Sequence, residues 1–573
     1  MLGRFIAVVG PPTDNEEISS FASERGLTVK NHAHSLTLYT EPGGAISLGR
    51  DDGWIVGKVF ERGSDAESVV ELPSHIASAI VGSKGNHLLD KFWGGYVALI
   101  RKPDIGWLVL RDPSGEIPCF YRNLDSGFVV ASDATLVGLG RGSEIDWHAF
   151  GLHLRRIGLS GRRTVLCGIT ELLPGERLHL VRDLPLEPAW SPWDHVDAGA
   201  GEDEDDIAST VDRCCRAWAG SFTQICLSLS GGLDSSVLAA SLATHPQLNC
   251  LNHISPSAAG DERRFAQAVT DQHGLSLLTE PMALASVRVD HAASWCMPRP
   301  VGRLIGQASD VQIDAVLHGA SRGIALNGEG GDNVFGFIQS PLPAVDRLWT
   351  EGPGRGFLKS WHDVSRLTDS SYARSGAWMI AHLTRRGSGL RWSSNDALLA
   401  ADVAKAIDDE PLPDWLTPPR RMKPGKALHV AGIYQAHARA RFLPSSRPVL
   451  SPLMSQPIIE HALRVPTWHW CEGGIDRAPI RAAFASRLPP LVVRRRWKGG
   501  PEGFCLALIA AQRLELRSRL LEGRLASHGL IDRLTVEESL SDAGIDRGDN
   551  YLRILELAEA EAWAEHWSGG PAI

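Results

Sequence analysis

The chain has 573 residues, more than one hydrophobic core usually holds, so two or more domains are expected. Its 43% hydrophobic and 22% charged content fits a soluble globular protein, and a formal charge of −9 argues against nucleic acid as the main partner, which demands a basic face. No apolar run reaches the ~18 residues of a membrane span, nine scattered cysteines without a CxxC pair predict reduced thiols and a cytoplasmic protein, and the 21 histidines form no zinc-ligand pattern.

Met1-Leu2-Gly3-Arg4-Phe5-Ile6-Ala7-Val8-Val9-Gly10 is expected to be a first strand; its apolar core is too short for a signal peptide and lacks a small-residue cleavage site. Short β patterns follow, among them Tyr96-Val97-Ala98-Leu99-Ile100, Trp107-Leu108-Val109-Leu110 and Phe128-Val129-Val130-Ala131. Asp112-Pro113-Ser114-Gly115 has the chemistry of a hairpin turn between two such runs. Stacked antiparallel sheets are therefore predicted for residues 1–185, followed by a polar linker from Leu184-Pro185 to Gly201-Glu202-Asp203-Glu204-Asp205-Asp206.

From about residue 206 the pattern changes to strands alternating with helices, which implies a parallel sheet in a second domain, 206–573. Cys214-Cys215 share a helical apolar face with Ile207, Val211 and Trp218 and are expected in the core. Ile225-Cys226-Leu227-Ser228-Leu229 leads into Ser230-Gly231-Gly232-Leu233-Asp234-Ser235-Ser236 and then Val237-Leu238-Ala239-Ala240, which reads strand, glycine turn, helix. The N–H groups of such a turn and of the helix start point at one spot and make an anion site, to which the serines add hydroxyl donors. Ser230, Gly231, Gly232, Asp234, Ser235 and Ser236 are thus candidate phosphate-site residues, with the Asp234 carboxylate placed for magnesium. The order is not that of a P-loop and resembles the pyrophosphate loop of ATP pyrophosphatases.

A second strand, Leu251-Asn252-His253-Ile254, precedes a helix starting near Asp261-Glu262. A third, Ile324-Ala325-Leu326, ends in Asn327-Gly328-Glu329-Gly330-Gly331-Asp332-Asn333. If the third strand lies beside the first, Asp234 and Asp332 can share one Mg2+. Residues 338–445 are helical in pattern and carry Trp349, Trp361, Trp378, Trp392 and Trp415, either as helix packing or as a clamp on a ligand. Near the end, Arg494-Arg495-Arg496-Trp497-Lys498-Gly499-Gly500 is a solvated charge run or a loop that lowers Lys498 onto a phosphate.

On these segments the chain resembles the asparagine synthetase superfamily over nearly its whole length. Ser451-Pro452-Leu453-Met454, Arg477-Ala478-Pro479-Ile480-Arg481, Phe92-Trp93-Gly94-Gly95-Tyr96, Arg111-Asp112-Pro113-Ser114-Gly115-Glu116-Ile117-Pro118 and Leu172-Leu173-Pro174-Gly175 also fall where that family has characteristic strings. The resemblance implies an α/β protein: an N-terminal degenerate Ntn-type, glutaminase-like antiparallel β-sandwich and a C-terminal ATP-pyrophosphatase-like parallel sheet with a helical extension. It implies ATP and Mg2+ as cofactors, Ile254 and Gly328 at the adenosine, Glu329 as general base and Lys498 as stabiliser of charged intermediates. A glutaminase of this kind uses an N-terminal cysteine, whereas the sequence begins Met1-Leu2 and its first cysteine is Cys119, so no glutaminase activity is expected. Asn333 stands where the family usually has glutamate.

Losing ammonia supply while keeping the ATP site is similar to β-lactam synthetases and lasso-peptide cyclases. The strings Gly331-Asp332-Asn333-Val334-Phe335, Trp361-His362-Asp363-Val364 and Arg421-Met422-Lys423-Pro424-Gly425-Lys426 lean toward the cyclases. The expectation is an ATP-dependent, AMP-forming ligase that adenylates an Asp or Glu side chain of a peptide substrate and joins it to the peptide's N-terminal amine. The resemblance adds a leader-binding protein and a leader protease as partners. A β-lactam synthetase, an ammonia-dependent asparagine synthetase and an inactive nucleotide-binding scaffold are the alternatives.

Overall fold

The computed structural model describes residues 3–569 except 11–14, 34, 50–51, 65–66, 140–142, 160, 182–185, 197–205, 256–259, 321, 385–391, 393, 407–409, 421, 441–448, 498 and 549. The acidic run 201–205 and the end of the expected helical stretch, 441–445, lie outside the described residues.

The N-terminal part is built of strands β1 (Phe5–Val9), β2 (Thr28–Ala33), β3 (Leu36–Thr40), β4 (Ala45–Ser47), β5 (Gly53–Glu61), β6 (Phe92–Lys102), β7 (Gly106–Arg111), β8 (Phe120–Leu124), β9 (Gly127–Ala131), β10 (Thr170–Glu171), β11 (Glu176–His179) and β12 (Glu187–Pro188). They form two six-stranded antiparallel sheets, in the orders β10-β8-β9-β1-β3-β2 and β12-β11-β7-β6-β5-β4. Strand alternation explains how the sheets stack. Phe5, Ala7 and Val9 of β1 meet Val97 and Leu99 of β6 in the sandwich interior, while Ile6 and Tyr96 face outward.

Those outward faces are covered as well. Ile6 and Val129 pack under C-terminal helices through Leu508, Leu557 and Trp563. On the other side Phe60 and Trp93 meet Trp218 edge-on, with ring centroids 5.0 and 6.1 Å apart. Cys214 and Cys215 lie in that same core, as the helical pattern predicts.

One turn differs from expectation. Asp112-Pro113-Ser114-Gly115 is not a hairpin: β7 before it and β8 after it belong to different sheets. The hairpins on either side of this turn are β6–β7 and β8–β9. Asp112 is fully buried and accepts hydrogen bonds from Tyr96 N (3.0 Å), Gly115 N (2.9 Å) and the Ser114 hydroxyl. The polar turn is a corner that carries the chain between layers, pinned to β6 by one carboxylate.

The second part holds β13 (Gln224–Ser228), β14 (Leu248–Ile254), β15 (Leu277–Pro281), β16 (Gly323–Leu326) and β17 (Val449–Leu450), all parallel, in the order β15-β14-β13-β16-β17. Helices Ile207–Gly220, Leu233–Leu242 and Arg263–His273 are interleaved with the strands in sequence. In the helical extension, Leu342–Glu351, Arg355–Leu367 and Tyr372–Thr384 close around a small cluster of Val345, Val364 and Met379. Trp415 is buried against Trp190 and Tyr434, so it packs the core; Trp349 and Trp378 are about half exposed. Among the described residues no helix is long and apolar enough to cross a membrane.

Candidate active site

Strand β13 lies at the centre of the parallel sheet, and its C-terminal end opens where such sheets bind ligands. The turn after it is forced to be glycine. Gly231 has φ +71°, and a side chain there would lie 2.5 Å from Ala266 N and Phe265 Cβ of the next helix. Gly232 caps the helix Leu233–Leu242 in extended conformation without a side-chain cap bond. The cap itself thus places no side-chain acceptor on the first N–H groups of the helix, as an anion site requires. Ser236 Oγ donates to Gly232 O (2.7 Å), and Ser230 and Ser235 hydroxyls pair at 3.2 Å, which ties the loop to itself. Every residue of that helix is buried, so the loop rests on a fixed base.

Strand β16 pairs directly with β13, so the loop after it meets the first loop. Contact is close at Gly328: a Cβ there would sit 2.7 Å from Ser235 N. Any side chain would push the two loops apart. Ile254 ends β14 on the other side of β13, so the Ser230–Ser236 loop, Ile254 and Gly328 line one edge of the sheet.

Asp234 and Asp332 do converge, and they do so on an arginine. Arg477 Nη1 donates to Asp234 Oδ2 (2.8 Å) and Oδ1 (3.0 Å) and to Asp332 Oδ1. Because both carboxylates reach one atom, they can also reach one cation, and the donor set of two carboxylates beside a phosphate loop fits Mg2+. Among the described residues no group of three or more His, Cys, Asp or Glu forms a closed metal cage. Burial works against the Arg477 charge, yet Asp234, Asp332 and Asp476 outweigh it and raise its pKa. For Asp476 burial acts upward, and Arg477 and Arg481 together pull it below the usual carboxylate range.

Glu329 follows Gly328 and carries its carboxylate to Arg303, Nη1 to Oε2 2.9 Å, while its own N–H donates to Asn327 Oδ1. Arg303 is also close to Asp310, whose carboxyl burial and Asp314 push up to about 6 against the pull of Arg303. The late basic run is only partly solvated. Arg495 is buried, lies over the Phe265 ring at 3.9 Å, and donates to Gly231 O (3.2 Å) and to Glu262. Gly499 N donates to the same Glu262 (3.0 Å), so the run is held on both sides of Lys498 by the residue that caps the helix Arg263–His273, and Arg495 adds the bond to the Ser230–Ser236 loop; Lys498 itself lies outside the described residues. Gly232, Asp234, Asp332, Arg477, Arg495 and Trp497 share a cleft of about 240 Å3.

Three arginines of this site were not assigned from the sequence: Arg303, Arg477 and Arg495. Arg477 opens a family-like string and Arg495 lies in the late basic run, but neither position tells what the side chain pairs with; Arg303 carries no such signal. In the N-terminal sandwich, Cys119 is in the core and burial pushes its thiol up to about 12, so it is no nucleophile.

The family model described as asparagine synthase matches residues 206–425 and 446–565, more than half of the chain. No curated protein matches it.

Proposed function

The chain belongs to the asparagine synthase family of ATP-dependent, amide-bond-forming ligases, and from that premise we propose that it closes a macrolactam in a ribosomal peptide. The reaction joins an Asp or Glu side chain of the peptide to its N-terminal amine and releases AMP and pyrophosphate. ATP, held with Mg2+, supplies the adenylyl group that turns a carboxylate into an acylating agent.

The residues divide the work. The Ser230–Ser236 loop and the start of its helix take the phosphates, Asp234 and Asp332 hold Mg2+, and Ile254 and Gly328 flank the adenosine. Glu329 accepts the proton that the attacking amine sheds; a free α-amine with a pKa near 8 is partly neutral at cell pH but still carries that proton. Arg303 fixes the direction of the Glu329 carboxylate through their ion pair. Lys498, next to the moored Trp497 and Gly499, neutralises charge on the departing pyrophosphate.

The observation that carries this reading is that Glu329 and Asp332 sit on one loop, so activation of the acid and deprotonation of the amine occur within one turn of chain. Bringing amine and acyl group together is worth roughly 7–11 kcal/mol, which suits a long peptide held in one conformation. The exposed Trp349 and Trp378 are proposed to help hold it. A leader-binding protein and a leader protease are proposed partners. The test is incubation with ATP, Mg2+ and a peptide bearing a free N-terminus and an internal Asp or Glu. A product lighter by one water, with one AMP per ring, is expected. AMP release with free aspartate and ammonia, and none with peptide, overturns the peptide substrate.

A further inference from the structure

Arg477 occupies the point at which Asp234 and Asp332 meet, bonded through one nitrogen to three of their oxygens. We propose that Arg477 is a built-in counter-ion that competes with a divalent metal for these two carboxylates, so that the metal enters only together with the nucleotide. The inference rests on the reading of Asp234 and Asp332 as metal ligands.

The electrostatics require some cation at this point. Two carboxylates aimed at one position repel each other, and one of them is almost fully buried. A guanidinium with charge-assisted bonds to both removes that repulsion. The backbone is committed to this aim: Arg477 has φ +53°, a left-handed conformation that a non-glycine residue adopts at some cost.

Release is also provided for. Arg477 Nε donates to Asp476 (2.7 Å), and Asp476 is bonded independently by Arg481 Nη2 (2.9 Å). If Arg477 moves, Asp476 keeps a cationic partner, so no buried charge is stranded. Arg477 and Arg495 line the same cleft. A guanidinium displaced from the carboxylates therefore stays where a polyphosphate can pair with it. A metal arriving alone must break these bonds with no such return. A metal arriving on a nucleotide brings the replacement anion with it.

The experiment is a Mn2+ titration followed by electron paramagnetic resonance, with and without a non-hydrolysable ATP analogue, on the full chain. Wild type is expected to bind Mn2+ weakly alone and tightly with the analogue. Arg477→Gln is expected to bind Mn2+ alone about tenfold or more tighter than wild type. Its melting temperature, lowered without metal, is expected to recover when Mg2+ is added. Arg477→Lys, which keeps a cation, is expected to behave as wild type. Wild type that binds Mn2+ equally with and without the analogue overturns the proposal. So does equal metal-only affinity in wild type and Arg477→Gln, or a lowered melting temperature indifferent to metal. Asp332→Asn separates the two levels. If it retains nucleotide-dependent Mn2+ binding, the metal-ligand reading itself fails; if it loses that binding while Arg477→Gln matches wild type, only the counter-ion role fails.

Discussion

Two acidic, glycine-containing corners of this chain look alike on paper and do opposite things. At Asp112 the carboxylate is fully buried, and its bonds come from Tyr96 N–H, Gly115 N–H and the Ser114 hydroxyl. At Asp234 and Asp332 the carboxylates face a cleft, and the partner they share is the side chain of Arg477. Main-chain donors cannot leave without unfolding the strand that carries them. A side-chain cation can be exchanged for another cation. The partner, more than the carboxylate, separates a structural corner from a chemical one.

Substitutions test that distinction, beginning with the largest effect. Asp332→Ala is expected to lower AMP formation on the order of a thousandfold while the protein stays folded, since a lost metal ligand removes several kcal/mol of charge stabilisation. Circular dichroism alongside an AMP assay checks both halves. Glu329→Gln is expected to lower ring formation roughly 10²–10⁴-fold with peptide-dependent ATP–pyrophosphate exchange retained, because only the proton acceptor is lost. Loss of exchange as well removes Glu329 from that role. Asp112→Ala inverts the pattern. Stranding buried N–H groups costs about 1–3 kcal/mol each, so the denaturant midpoint falls while AMP formed per folded molecule does not.

The smallest effect concerns Asp346, a second carboxylate of the enclosed kind, which accepts from Gly425 N (2.8 Å) and the Thr467 hydroxyl (2.7 Å). Burial pushes it from 3.8 up to about 6 against the pull of those two donors. The folded state thus holds its proton more tightly than the unfolded chain. Asp346 costs nothing below about 3.8, and the cost of its ionisation is complete above about 6. Asp346→Asn is expected to gain stability relative to wild type as pH rises from about 4 to about 7, measured by urea melts across that range. A gap that does not vary with pH contradicts the assignment.

Much of this was legible in the sequence because it is local. Apolar Ile225–Leu229, the two glycines and the following apolar helix give strand, turn and helix within twenty residues, and a parallel neighbour brings Gly328 alongside. The corner at Asp112 was misread because turn chemistry reports a change of direction and not which sheet receives the next strand. The pairings of Arg477 and Arg495 are hidden from the sequence for another reason. Arg477 lies 243 residues from Asp234 and 145 from Asp332, and Arg495 lies 264 from Gly231. No periodicity or spacing reports a pairing at that range; only the folded sheet does.

The most direct measurement uses a peptide whose Asp or Glu side chain carries ¹⁸O. Attack of that carboxylate on the α phosphorus transfers label to AMP, and the two acidic loops acting on one ATP·Mg2+ predict label in the AMP phosphate. Label in inorganic phosphate with ADP as product contradicts the account.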